Sequence, residues 1–179
     1  MGRAEALAER CRRVKLVLTD VDGVMTDGTV LFLPGGVEAR GFHVRDGLGI
    51  VLAQRAGVRV GIVSGRSSAD IEQRARELGI GVVRQGVADK AEALHGILAA
   101  EGLGPAEVAY IGDDVNDLSA MRAVGLSAAP ADAAFEARAQ ADMVLQAGGG
   151  RGCLREFLEA ILRARGDWER VAETEPPTP

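Results

Sequence analysis

Aromatic side chains are scarce: one Trp, one Tyr and four Phe make up 3% of the 179 residues. With 47% of the chain apolar, a core must be built from Val, Leu, Ile and Ala, which suits a sheet covered by helices. Two cysteines, Cys11 and Cys153, are too few for a disulfide framework, and neither has metal-ligand spacing. They read as reduced thiols of a cytoplasmic protein. The net charge of −5 is spread along the chain without a basic patch, so nucleic acid is set aside as a partner. No apolar run approaches the ~20 residues that cross a bilayer. The segment MGRAEALAERCRR has no apolar stretch of the secretory kind, and Ala6 stands where myristoylation wants a hydroxyl residue. No membrane association is expected.

What is present alternates. VKLVLTD, VRVGIVSG, GVVRQG and EVAYIGDD read as buried strands, with LSAAP and DMVLQ as shorter ones. Between them lie GLGIVLAQRAG, SSADIEQRARELG with Ser68 as a candidate N-cap, ADKAEALHGILAAEG, DLSAMRAVG, AAFEARAQA and finally CLREFLEAILRAR, all with helical spacing. This rhythm argues for right-handed βαβ units and one parallel sheet with helices on both faces, an α/β fold. Residues 29–44 are strand-like around Pro34-Gly35-Gly36 and predict a short β-hairpin. No repeat and no second domain are visible. Residues 1–166 read as one domain, and the polar, proline-ended segment 167–179 as a flexible tail.

In open parallel sheets, ligands bind beyond the carboxyl ends of the strands. Collected by that rule, the strand ends offer Asp20 and Asp22, then Ser64, Gly65 and Arg66, then Asp89 and Lys90, then Asp113, Asp114, Asn116 and Asp117. So many acids in one crevice would repel one another without a cation. An oxygen-rich set of this kind suits Mg²⁺, which takes few carboxylates and completes its shell with water or phosphate. Ser64 and Lys90 are the donor types for phosphate oxygens. One aspartate can act as nucleophile and a second, two residues on, as acid. The constellation reads as metal-assisted phosphoryl transfer. Each piece alone has an ordinary explanation: a solvated strand end, a turn, a surface lysine. The ordered set requires that explanation four times over.

DVDGVMTDG, SGR, Lys90 and GDDVND together resemble the four motifs of the haloacid dehalogenase superfamily of phosphohydrolases. Adding FHVRDGLGI, RQGVADKAEAL, VGLSAAPADA and AGGGRGCLREFLEAIL, the chain resembles the capless 3-deoxy-D-manno-octulosonate 8-phosphate phosphatases over residues 14–162. The resemblance implies a Rossmann-like fold with a hairpin in place of a cap domain. It implies Asp20 as nucleophile and Mg²⁺ ligand, Asp22 as general acid/base and carbonyl ligand, and Asp113 as third ligand. Ser64 and Lys90 would hold the phosphoryl group, with Asp114, Asn116 and Asp117 in support. For the sugar acid it points to Asp22, Lys90, Arg66, Arg74 and the segment His43, Val44, Arg45, Asp46, Gly47 at the site mouth. It further implies a homotetramer assembled through the hairpins, with GGGRG near a subunit boundary. A nine-carbon ulosonate 9-phosphate substrate and a catalytically silent assembly module remain as alternatives.

Overall fold

The computed structural model describes residues 2–173. Along the chain come α1 (Arg3–Arg13), β1 (Leu16–Thr19), the hairpin β2 (Leu31–Leu33) and β3 (Val37–Ala39), then α2 (Val44–Arg55) and β4 (Arg59–Val63). There follow α3 (Ala69–Glu77), β5 (Val82–Arg84), α4 (Lys90–Glu101), β6 (Val108–Ile111) and α5 (Leu118–Arg122). The last elements are β7 (Leu126–Ala129), α6 (Phe135–Gln140), β8 (Met143–Val144), α7 (Cys153–Arg165) and α8 (Trp168–Ala172). Six strands form a parallel sheet in the order β5-β4-β1-β6-β7-β8, and the hairpin stands apart as a two-stranded antiparallel sheet.

The strands are buried on both faces because the sheet is covered on both. Val17, Val60 and Ile62 point into one layer with α1, α2, α3, α7 and α8; Leu16, Leu18 and Tyr110 point into the other with α4, α5 and α6. That accounts for the near-continuous apolar runs read from sequence. Gly61 is required at the centre: a Cβ there would lie 2.7 Å from Leu18 and 2.9 Å from Val82. The chain runs β1, β4, β5 to one side, then crosses to β6 on the other side of β1. The register pairs Thr19 with both Ile62 and Ile111, so the residues after β1, β4 and β6 emerge side by side.

The elements differ from the sequence expectation in several places, α1 among them, which no pattern announced. The hairpin strands are shorter than 29–44, since the chain leaves Ala39 to enter α2 at Val44. Ser68 sits at the N-cap of α3 but makes no cap bond there; its hydroxyl turns to Asp70 and Arg40 instead. Residues 168–172, expected to belong to a tail, form α8. Trp168 and Val171 are buried, and the Trp168 ring carries the guanidinium groups of Arg155 and Arg163 at 4.7 and 5.0 Å from its centroid. A polar sequence with one large ring gave no helical periodicity to read, while the packing onto α7 supplies it. Residues 174–179 lie outside the described residues.

Replacement of Trp168 by Ala is expected to lower unfolding free energy by about 3 kcal/mol in urea titrations, the usual cost of emptying an aromatic core site. A change within about 0.5 kcal/mol, the surface-substitution range, would return the segment to the status of a tail.

Candidate active site

Asp20 follows β1 directly, its backbone N–H donating to the carbonyl of Ile111 at 3.0 Å. The side chain is buried and meets Lys90 Nζ at 3.0 Å. Lys90 is the first residue of α4, whose start is fixed by Asp89, the carboxylate of which accepts from the N–H groups of Ala91 and Glu92. Its ammonium, also buried, donates to Asp117 Oδ1 at 2.5 Å. Burial alone would pull Lys90 down; Asp20 and Asp117 outweigh it and hold the ammonium above its ordinary pKa.

Asp20, Asp113 and Asp117 each place a carboxylate oxygen within 4.8 Å of the others. Asp117 is fully committed: Oδ1 accepts from Lys90 and from Tyr110 Oη at 2.6 Å, and Oδ2 from the N–H groups of Asp113 and Asp114 at 3.0 and 3.3 Å. It therefore orients Lys90 and the 113–114 turn, leaving Asp20 and Asp113 with oxygens to offer. Burial and then the neighbouring Asp117 push Asp20 up to about 6, against the pull of Lys90. Burial and then Asp20, Asp117 and Asp114 push Asp113 up to about 7. One ammonium among these acids is insufficient, and an all-oxygen donor set in electrostatic deficit fits a hard divalent cation such as Mg²⁺.

Gly23 makes this convergence possible. Its φ is +88°, and a Cβ there would lie 2.0 Å from Asp113 Oδ2. The loop is backed by the 148–150 glycines: a Cβ on Gly149 would fall 2.0 Å from the Gly23 carbonyl, and Gly150 N–H donates to Val24. Thr26 closes the turn, accepting from Gly23 and Gly28 and donating to the Val21 carbonyl.

Asp20, Asp22, Gly65, Arg66, Asp113, Asp114 and Asn116 line one cleft of about 210 Å³. Ser64, the residue after β4 and before Gly65, is buried, its hydroxyl accepting from Arg66 N–H at 3.1 Å. Asp114 caps the turn that follows, accepting from Val115 N–H. Asp22 faces Arg66 at 3.6 Å and Arg40 at 2.6 Å.

Not every candidate reaches this cleft. Asp46 and Gly47 are buried within α2: Asp46 accepts from Arg155 N–H at 2.7 Å, holding the start of α7, and Gly47 makes room for the Arg74 guanidinium. Within the single chain both serve packing, Asp46 against α7 and Gly47 against α3. Arg74 leans over Phe42 and pairs with Glu77. His43 lines a separate cavity with Asp27 and Arg151, Arg45 lies along a groove of α7, and Val44 is exposed.

A family model described as a haloacid dehalogenase-like hydrolase matches residues 42–125. The chain is 41% identical over 166 residues to the 3-deoxy-D-manno-octulosonate 8-phosphate phosphatase KdsC of Yersinia pestis, covering 93% of this chain and 89% of that one. The chain belongs to the KdsC family. Its structure matches the Moraxella catarrhalis phosphatase in complex with magnesium ion, phosphate ion and KDO with a TM-score of 0.91, at 36% identity over 93% of this chain and 95% of that one. It matches the cobalt-bound form of the deoxy-D-mannose-octulosonate 8-phosphate phosphatase from Haemophilus influenzae at 0.88, with 39% identity over 92% and 96%.

Three residues with contacts at the site were not read from sequence. Thr26 was visible, six residues after Asp20, yet given no role. Tyr110 carried a signal: it is the chain's only tyrosine, inside an otherwise aliphatic strand. Arg40 had none, because Asp22, Ser68 and Asp70, which it joins, lie 18 to 30 residues away.

The raised carboxyls set a pH dependence. Both exceed their unfolded values of about 4, so the native metal-free protein binds more protons and loses stability as pH rises from about 4 to 7. Thermal melts are expected to show Tm falling over that window, with added Mg²⁺ raising it more at pH 8 than at pH 5. A Tm equally insensitive to Mg²⁺ at both would remove the cation from Asp20 and Asp113.

Proposed function

We propose that the chain is a Mg²⁺-dependent phosphatase that hydrolyses 3-deoxy-D-manno-octulosonate 8-phosphate through a phosphorylated Asp20. The main support is Lys90 held 3.0 Å from Asp20 and 2.5 Å from Asp117 beside Asp113, in a KdsC family member. Asp20 and Asp113, with the Asp22 carbonyl, are the groups to hold Mg²⁺. When bound, the cation neutralises charge on the phosphoryl oxygens.

Lys90 and the Ser64 hydroxyl hold the phosphoryl group, and Lys90 keeps the Asp20 carboxylate ionised for attack. An Asp20 oxygen forms the new bond to phosphorus as the bond to the sugar oxygen breaks, and Asp22 gives its proton to that departing oxygen. Asp22, now a carboxylate, takes a proton from water as the water oxygen bonds to phosphorus and the Asp20–phosphate bond breaks. Arg66, half-exposed at the cleft, is the cation for the ulosonate carboxylate.

The cleft holds about 210 Å³, below the ~300–1,000 Å³ of sites that enclose a whole small ligand. The cleft thus houses the phosphoryl end, and the sugar extends beyond it. A homotetramer built through the hairpins supplies the remaining walls. The hairpin presents Leu31, Phe32, Leu33 and Val37 to solvent at 53, 75, 47 and 56% exposure, an apolar set that a subunit contact would cover. Location in the cytoplasm is part of the proposal and agrees with the two buried free thiols. Among the described residues, no helix is long and apolar enough to cross a membrane.

Asp20→Asn is expected to lower phosphate release from the eight-carbon substrate by about 10⁴-fold or more with the fold intact by circular dichroism, and chelation of Mg²⁺ to silence the wild type. Assay beside a nine-carbon 9-phosphate fixes the substrate. A wild type that turns over neither overturns the proposal. Phe32→Glu is expected to yield a smaller species by light scattering; an unchanged mass would take assembly away from the hairpin.

A further inference from the structure

We infer that Arg40 is a positioning residue for Asp22: its guanidinium selects which Asp22 oxygen faces the leaving group and ties acid catalysis to the hairpin. This rests on the phosphatase reading above. Arg40 follows β3 at the hairpin base, and its side chain has 0% exposure. Nε donates to Asp22 Oδ1 at 2.6 Å. One terminal nitrogen donates to Ser68 Oγ at 3.0 Å and to both Asp70 oxygens at 3.2 Å, and the other to Glu38 at 3.2 Å. Three carboxylates thus surround one permanently charged, planar donor.

A staple between hairpin and α3 needs only Glu38 and Asp70. The third and shortest contact goes to Asp22, which has little else to orient it. The Asp22 side chain is 23% exposed, and its other charged contact, Arg66, is longer at 3.6 Å. With Oδ1 taken by Arg40, Oδ2 is the oxygen turned toward Arg66, a fellow wall of the cleft, at 3.6 Å. Proton delivery from Oδ2 to the departing sugar oxygen then has one geometry instead of several, and a misaimed acid forfeits much of the ~10²–10⁴-fold that such transfer contributes.

The test uses leaving groups that need the proton to different degrees. A sugar alkoxide needs it; the phenolate of 4-nitrophenyl phosphate departs largely without it. Arg40→Gln is expected to lower kcat about 30-fold or more on the sugar-acid phosphate and less than about 5-fold on the aryl phosphate. Arg40→Lys is expected to fall between Arg40→Gln and wild type, since one ammonium cannot serve Asp22 and the Ser68–Asp70–Glu38 set together. That variant carries the comparison if Arg40→Gln does not fold. The pair Glu38→Gln, Asp70→Asn keeps the Asp22 contact, and the ratio between substrates is expected to stay at the wild-type value. Equal losses on both substrates in the Arg40 variants, or a shifted ratio in the Glu38/Asp70 pair, would make Arg40 a structural staple only. A wild type inactive on both substrates would instead overturn the phosphatase reading itself, and the inference with it.

Discussion

The site depends on one buried ammonium shared by two carboxylates. Lys90 reaches Asp20 and Asp117 from the first turn of α4, and it is the sole cation in direct contact with either among the described residues. Taking such charges out of water is costly unless the geometry is close and the remaining lone pairs are satisfied. Both conditions hold at Asp117, which accepts four hydrogen bonds, and they leave Asp20 and Asp113 short of positive charge. The deficit is what makes the site a receptor for a divalent cation, whose positive charge completes a balance that the chain alone leaves open.

Close backbone approach gives that electrostatic arrangement its rigidity. Gly23 admits Asp113, Gly149 admits the Gly23 carbonyl, and Thr26 bonds across the turn, so the loop after β1 is clasped between the loop after β6 and the segment entering α7. Side chains in these places would push the carboxylates apart. The same loop is held on its other side by Arg40, which makes the hairpin a neighbour of the site.

Much of this was legible in sequence because it is local. Strand burial on both faces shows as apolar runs, and the rule that parallel sheets bind ligands at strand carboxyl ends gathers Asp20, Ser64, Lys90 and Asp113 without coordinates. What failed to read was of another kind. The contacts of Asp46 with Arg155 and of Gly47 with Arg74 join α2 to α7 and α3, a packing that no local pattern shows. Ser68 has the chemistry of an N-cap, but a buried guanidinium competes for its hydroxyl and wins. Trp168 joins the core through two arginines of α7, a contact that no periodicity announces.

By itself, then, the sequence determined the sheet, the order of its strands' polar ends and the residue types that phosphoryl transfer needs, since these follow from patterns within a dozen residues. Only the tertiary structure decided which oxygens remain for a cation, which arginine holds Asp22, and which motif residues support the fold. Those outcomes turn on competition for hydrogen bonds and space between segments distant in the chain, and the winner is set by where packing brings them.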